Sequence, residues 1–324
     1  MTIDVDMTIP VIDLGDEHAS ALIACACQDI GFLVVTNHGV DSAVIDEAWD
    51  TATRFFDLPV ADKMAVAMPY PGYPYGYAPM QGERLAASLG DETPPDLKET
   101  FSMGPIERPS HPLDDPAEAF VYEATPWPAA LPDFQPALEA YYGAMSRLVA
   151  RIMTLFAAAL DLPSNFFDSR IDRHTSALRL LNYPAVIEAP EPGQLRAGAH
   201  TDYGTVTVLR ADDSPGGLEV LAPSTVGNCW TAVPVVAGSL IVNLGDAMSR
   251  WTNDRWRSTL HRVMTPPASV AATSRRQSIA FFHNANWDAV IECIPSCLAE
   301  GESPRYAPVT AGKHLMSKFR STQY

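Results

Sequence analysis

The chain has 324 residues, 47% hydrophobic and 19% charged, which is enough to bury a large core and suits an ordinary globular protein. Its formal net charge of −17 would mostly repel a nucleic-acid backbone, so the expected partner is a small molecule and not a nucleic acid. Cys25, Cys27, Cys229, Cys293 and Cys297 show no zinc spacing, the acidic start before Pro10 lacks signal-peptide character, and no apolar run could span a membrane. These features predict a cytoplasmic protein without a membrane partner. The expected state is a monomer or weak homo-oligomer.

Ile9-Pro10-Val11-Ile12-Asp13-Leu14 is predicted as a first strand, followed by an alanine-rich helix over Ala19 to Asp29. Gly31 to Gly39 gives a β-branched strand ending in a turn. Asp41-Ser42 can cap the next helix, whose apolar residues Val44, Ile45, Ala48, Ala52, Phe55 and Phe56 recur at helical spacing until Pro59 stops it. Residues 66–135 are rich in proline, glycine and aromatics, and are expected as ordered loops packed over something. The longest helical pattern runs from about Phe134 to Leu160.

Beyond Ser176 the pattern changes to short strands divided by turn signals. The candidates are Leu178–Tyr183, Thr205–Leu209, Leu218–Leu221, Trp230–Val233, Ser239–Val242, Thr259–Val263 and Ser278–Phe282. Such spacing suggests a sandwich or jelly roll. The division expected is an N-terminal helical and strand region with aromatic loops (1–135) and a long helix with a β-core (136–324), forming one compact unit.

His200-Thr201-Asp202 and the distant His261 are the residues that carry chemistry. Two imidazoles and one carboxylate on one side of an Fe(II) ion leave positions open for a cosubstrate and O₂. If His200 and Asp202 share a strand, their spacing puts both side chains on one face, and Gly198 and Gly204 would relieve crowding near the metal. H-x-D alone is weak evidence. It gains weight from Arg276-Gln277-Ser278 on the next strand, where an arginine and a serine can hold the far carboxylate of 2-oxoglutarate. Tyr183, ahead of Pro184, is placed to add a hydroxyl.

Arg250, Arg255, Arg257, Arg262, Arg275 and Arg276 crowd the stretch around His261, but only Arg276 is expected to have a site role. His18, His38, His111, His174, His283 and His314 are expected as ordinary surface or core residues.

Taken in order, these segments resemble the isopenicillin N synthase-like superfamily of Fe(II)/2-oxoglutarate-dependent dioxygenases. The likeness covers Ile9–Leu14, Gly31–Val40, Asp96–Phe101, Gly198–Gly204, Gly216–Val220, Val242–Asp246, Trp251–Val263 and Arg276–Ile279. The resemblance implies an α+β fold with a mainly β core, a double-stranded β-helix (jelly roll) with flanking N-terminal helices. It implies His200, Asp202 and His261 as catalytic iron ligands and Arg276, Ser278 and Tyr183 on the C5 carboxylate. It also implies Fe(II), 2-oxoglutarate and O₂ as reactants, hydroxylation, desaturation or cyclisation of a small organic metabolite, and succinate and CO₂ as coproducts. Halogenation is disfavoured, because Asp202 fills the position a halide needs.

Two alternatives remain open at this level. One is an iron oxidase of the same fold that does not consume 2-oxoglutarate, as isopenicillin N synthase and aminocyclopropane-carboxylate oxidase do, with Gln323 as a candidate extra ligand. The other is a catalytically silent ligand-binding jelly roll. Tyr77, Phe101, Met103 and Phe282 are expected to line the substrate entrance, and their character hints at an apolar or ring-bearing substrate.

Overall fold

A computed structural model describes residues 8–90, 93–186, 190–224 and 227–322. The first half alternates helices with short strands: β1 (Val11–Asp13), α1 (Ala19–Asp29), β2 (Phe32–Thr36), α2 (Ser42–Phe56), α3 (Val60–Met64), β3 (Gly76–Ala78), β4 (Glu99–Met103), α4 (Pro116–Val121) and α5 (Phe134–Ala159). After α6 (Asp168–Ile171) come β5 (Ala177–Tyr183), β6 (Ala197–His200), β7 (Val206–Ala211), β8 (Leu218–Ser224), β9 (Gly227–Ala232) and β10 (Leu240–Leu244). The chain then forms α7 (Asp246–Trp251), β11 (His261–Val263), β12 (Arg276–His283), β13 (Val290–Ile291), β14 (Val309–Thr310) and α8 (Ala311–Thr322).

Local chemistry accounts for the helix ends. The Asp41 carboxylate accepts the Ala43 N–H at 2.9 Å and starts α2. Helix α2 stops at Phe56, and Pro59 caps the short α3 that follows. Helix α5 ends where Asp161 takes a left-handed conformation (φ 57°) ahead of Pro163. Helix α8 has no counterpart among the sequence expectations, because its composition is largely polar. It docks through Leu315 and Phe319 near Tyr203, Phe120 and Trp287, and His314 Nε2 donates to the Tyr203 carbonyl at 3.1 Å. Among the described residues, no helix is long and apolar enough to cross a membrane.

Eight strands form one sheet in the order β1-β2-β10-β7-β12-β5-β4-β3, and four form a second in the order β6-β11-β8-β9. Apart from the parallel β1–β2 pair, neighbours in these sheets run antiparallel. Leu181, Tyr183, Ile241 and Ala280 of the large sheet share one buried cluster with Ala197, Leu218, Val220 and Val263 of the small sheet. This facing pair is a double-stranded β-helix core.

The other face of the large sheet packs on α1, α2 and α5 through Leu33, Leu178, Leu180, Val242, Ile279 and Phe281. Strand alternation therefore sorts β12 into two sets. Arg276, Ser278, Ala280 and Phe282 point between the sheets, and Gln277, Ile279, Phe281 and His283 point toward the helices.

Candidate metal and cosubstrate site

His200 closes β6 and His261 opens β11, and the two pair directly across the ladder with ring centroids 4.3 Å apart. Asp202 is not on that strand. Strand β6 ends at His200, so a shared strand face does not explain why the two side chains converge. The loop beyond is instead pinned by the start of α7: Asp246 N–H donates to the Asp202 carbonyl at 2.8 Å and Ala247 N–H to the Tyr203 carbonyl at 3.2 Å. This returns Asp202 over the histidine pair. Its Oδ1 stands 3.9 Å from His200 Nε2 and 3.7 Å from His261 Nε2, and one ligand atom from each residue lies within 4.8 Å of the others.

The hydrogen bonds around these side chains suit a divalent metal. His200 Nδ1 lies 2.8 Å from the Gly198 carbonyl and His261 Nδ1 lies 3.1 Å from the Thr259 carbonyl. A carbonyl only accepts, so each Nδ1 carries the proton and each Nε2 keeps its lone pair toward the centre. Asp202 Oδ2 accepts from Thr207 Oγ1 and Asn243 Nδ2, both at 2.6 Å, which leaves Oδ1 turned to the imidazoles. Burial and the neighbouring His261 hold His200 neutral. Burial alone would raise the Asp202 carboxyl, but His261, His200 and the two donated hydrogen bonds bring it below the usual range. A metal needs the carboxylate ionised and the Nε2 lone pairs free.

A second feature lies on the inner face of the large sheet. Arg276 pairs with Tyr183 across β12 and β5, and Ser278 pairs with Leu181. Arg276 is 2% exposed, yet among the described residues its Nε and Nη1 have no hydrogen-bond partner and the nearest carboxylate oxygen, Asp212 Oδ1, is 4.0 Å from Nε. A buried guanidinium with two unused nitrogens needs an anion, since an unpaired buried charge costs several kcal/mol. The C5 carboxylate of 2-oxoglutarate fits that need, and the inward Ser278 is one step along the same row.

Residues 175–285 match the model of the 2OG-Fe(II) oxygenase superfamily, and residues 9–130 match that of the non-haem dioxygenase in morphine synthesis N-terminal region. The chain is 33% identical over 322 residues to a validamycin A dioxygenase from Streptomyces hygroscopicus subsp. limoneus, covering 96% of this chain and 86% of that one. It is 31% identical over 299 residues to a homoarginine-6-hydroxylase from Oryza sativa subsp. japonica, covering 90% and 86%. The crystal structure of a full-length Neurospora crassa protein with alpha-KG (2-oxoglutarate) and thymine superposes with a TM-score of 0.83, at 31% identity over 98% of each chain.

The chain belongs to the 2OG-Fe(II) oxygenase superfamily. This oxygenase is an Fe(II)- and 2-oxoglutarate-dependent dioxygenase. The oxidase that spares 2-oxoglutarate and the silent binding module are thereby set aside.

Three substrate-lining expectations for the oxygenase are corrected by register. Phe101 pairs with Leu180, Met103 with Leu178 and Tyr77 with Phe101, which puts all three on the helix side of the sheet. Phe101 packs against Phe55, Phe134 and Trp127, and the Tyr77 hydroxyl donates to Glu99 Oε2 at 2.5 Å. The inward residues of β4 are Thr100 and Ser102. Among the described residues Thr100 Oγ1 is buried without a partner, and Ser102 Oγ accepts from Arg179 Nε at 3.0 Å. Glu83 reaches Arg179 at 3.1 Å and Lys98 at 3.3 Å. Burial would raise its carboxyl, but these two cations bring it down to about 2. Phe282 does point inward, half-buried and paired with Thr207.

The glycines act on backbone packing instead of making room for a metal. A Cβ on Gly198 would meet Ala86 at 2.9 Å, and one on Gly204 would meet the His283 carbonyl oxygen at 2.3 Å. Of the crowded arginines only Arg276 is buried, and Arg262 and Arg275 pair with Glu219 and Asp57 at 2.9 and 2.5 Å. Gln323 lies outside the described residues. Sequence reasoning missed Thr207, Asn243 and Arg196. A polar residue inside the apolar run Leu240-Ile241-Val242-Asn243-Leu244 was the available signal for one of them.

Proposed function

We propose that His200, Asp202 and His261 hold the Fe(II) of this dioxygenase, and that Arg276, Ser278 and Tyr183 hold the C5 carboxylate of 2-oxoglutarate. The reaction proposed is hydroxylation of a small polar molecule. The observation that carries this reading is the buried Arg276 guanidinium with two unpartnered nitrogens, on the same inner face as the Thr207 and Asn243 side chains that orient Asp202.

When bound, iron and 2-oxoglutarate would activate O₂, the oxidant: one oxygen atom would go to succinate as the 2-oxo acid is oxidatively decarboxylated with release of CO₂, and the other to the substrate. The chain's own residues do the positioning. Thr207 and Asn243 fix one Asp202 oxygen, so that the other stays with the two Nε2 atoms. Phe32 is fully buried and meets the His261 ring edge-on at 5.3 Å, which keeps water from that side. Arg276 neutralises the far carboxylate and sets the reach of the cosubstrate toward the triad.

The polar wall of Ser102, Arg179 and Glu83, with Phe282 as the one inward ring from the expected set, supports a polar substrate over an apolar one. Validamycin A, homoarginine and thymine, named with the relatives, are also small polar molecules. The test is to screen polar amines, amides and ring compounds for substrate-dependent succinate release, and to follow labelled O₂ into the product. Incorporation of one labelled oxygen is expected; a dehydrogenated product without it would replace hydroxylation by desaturation.

A further inference from the structure

Arg196 stands immediately before β6 and is 0% exposed. Its Nη1 donates to the carbonyls of Pro215 at 2.6 Å and Gly216 at 3.3 Å. Its Nη2 donates to the Ser274 carbonyl and, at 3.1 Å, to Ser274 Oγ, while Nε has no partner among the described residues. All of these acceptors are neutral. Ordinarily a buried arginine is matched by a carboxylate, because unpaired charge is costly in the interior.

Among the described residues no carboxylate forms an ion pair with Arg196, and the charge of Asp212 reaches it only from farther off. The Arg196 Cζ lies 5.9 Å from the centroid of the Tyr183 ring, and the Arg276 Cζ lies 5.3 Å from the same centroid. Two buried guanidiniums therefore flank one tyrosine. Asp212 is the carboxylate nearest Arg276, partly exposed and 4.0 Å away, and two of its oxygens already accept the N–H groups of Ser214 and Gln277. Lys98 also faces Tyr183, but Asp96 at 2.9 Å and Glu83 at 3.3 Å balance it. The contacts of Arg196 join two segments that frame Arg276. Ser274 leads into β12, and Pro215-Gly216 forms the turn after Asp212.

We propose that Arg196 is a positioning residue of the cosubstrate pocket: it adds a second buried positive charge behind Tyr183 and Arg276, so that the pocket selects a doubly charged 2-oxo acid over a singly charged one. The proposal rests on the reading of Arg276 as the carboxylate anchor. One guanidinium touches the far carboxylate. The other is locked to the backbone and contributes field without moving. Charge fixed in a low-dielectric interior acts over distances at which an exposed charge is screened.

The test compares 2-oxoglutarate with 2-oxovalerate, which has the same chain with a methyl in place of the C5 carboxylate. Binding of each to the anaerobic Fe(II)-loaded protein is measured by calorimetry, with thermal unfolding as the check on the fold. Wild type is expected to favour 2-oxoglutarate, and Arg276→Met to lose that preference; no preference in wild type, or none lost in Arg276→Met, would fail the underlying reading instead. Arg196→Met is expected to weaken 2-oxoglutarate by on the order of tenfold and to leave 2-oxovalerate within about twofold. Equal weakening of both acids, as a merely structural role gives, or no weakening of either, overturns the proposal. If Arg196→Met does not fold, Arg196→Lys decides. With its charge kept it should hold the preference near wild type, and a fall to the Arg276→Met level overturns the proposal.

Discussion

Asn243 and Asp202 are 41 residues apart in sequence, on β10 and on the loop after β6, and Asn243 Nδ2 donates to Asp202 Oδ2 at 2.6 Å. With Thr207 donating to the same oxygen, the bond turns the other carboxylate oxygen to the two histidines. Hydrogen-bond partners of this kind set the orientation and basicity of a metal ligand. Asn243→Ala is expected to lower Fe(II) affinity by about 10- to 100-fold while the protein stays folded. Competition against a chelator measures it, and unchanged affinity would show that Asp202 needs no such support.

The two faces of the large sheet predict opposite outcomes for two phenylalanines. Phe101 is fully buried against Phe55, Phe134 and Trp127, so Phe101→Ala should cost about 3–5 kcal/mol of stability and leave the substrate KM unchanged. Phe282 is half-buried on the inner face, and Phe282→Ala should change the substrate KM more than the unfolding midpoint. Denaturant unfolding and steady-state kinetics on both variants separate the two. A KM change in Phe101→Ala would return that residue to the substrate wall.

This contrast shows what the sequence could and could not disclose. Most of the helices and strands outside residues 66–135 were legible because their signals are local, such as the Asp41 cap and the long apolar pattern of α5, but β3, β4 and α4 were not, since the proline- and glycine-rich stretch that holds them reads as loops. Which face Phe101 takes was not legible. It depends on Glu99 pairing with Asn182, and a slip of one residue would have turned Phe101 inward. The ligand types and their spacing pointed to a metal, but Asp202 reaches it from a loop held by α7, a tertiary contact with no local mark. Arg196 lay outside the arginine-rich stretch, and only the fold brings it beside Tyr183.

Acid should destabilise the protein through a buried histidine pair away from the triad. The rings of His174 and His283 are 5.0 Å apart, and His283 Nδ1 lies 2.7 Å from Thr205 Oγ1. Burial lowers His174 from 6.5 to about 4 and holds His283 well below its ordinary value. The unfolded chain then binds protons that the folded one refuses. Stability from the pair is complete above about pH 6.5 and falls as pH drops toward about 4, by on the order of 3 kcal/mol from His174 alone. His174→Phe keeps a ring against Tyr142 and removes one titrating group, so its urea midpoint should fall less between pH 7 and pH 5 than that of wild type. Parallel midpoints would locate the acid sensitivity elsewhere.

Gly204 carries the loop of Asp202 past the start of β7, and a Cβ there would stand 2.3 Å from the His283 carbonyl oxygen. Backbone must move to admit it. Gly204→Ala is expected to lower stability by about 1–3 kcal/mol and to weaken Fe(II) binding in the same variant. Thermal unfolding with and without Fe(II) checks both. A variant that is destabilised but binds iron as wild type does would uncouple the loop's packing from the position of Asp202.

The proposed iron triad and the proposed Arg276 carboxylate anchor are both addressed by one absorbance experiment. Fe(II) and 2-oxoglutarate are added anaerobically to wild type, Asp202→Ala and Arg276→Ala, and the visible charge-transfer band of the chelated cosubstrate is recorded against 2-oxoglutarate concentration. Wild type should give the band, Asp202→Ala should lose it, and Arg276→Ala should need about 10- to 100-fold more 2-oxoglutarate to reach it. A band in Arg276→Ala that saturates at the wild-type concentration would contradict the account.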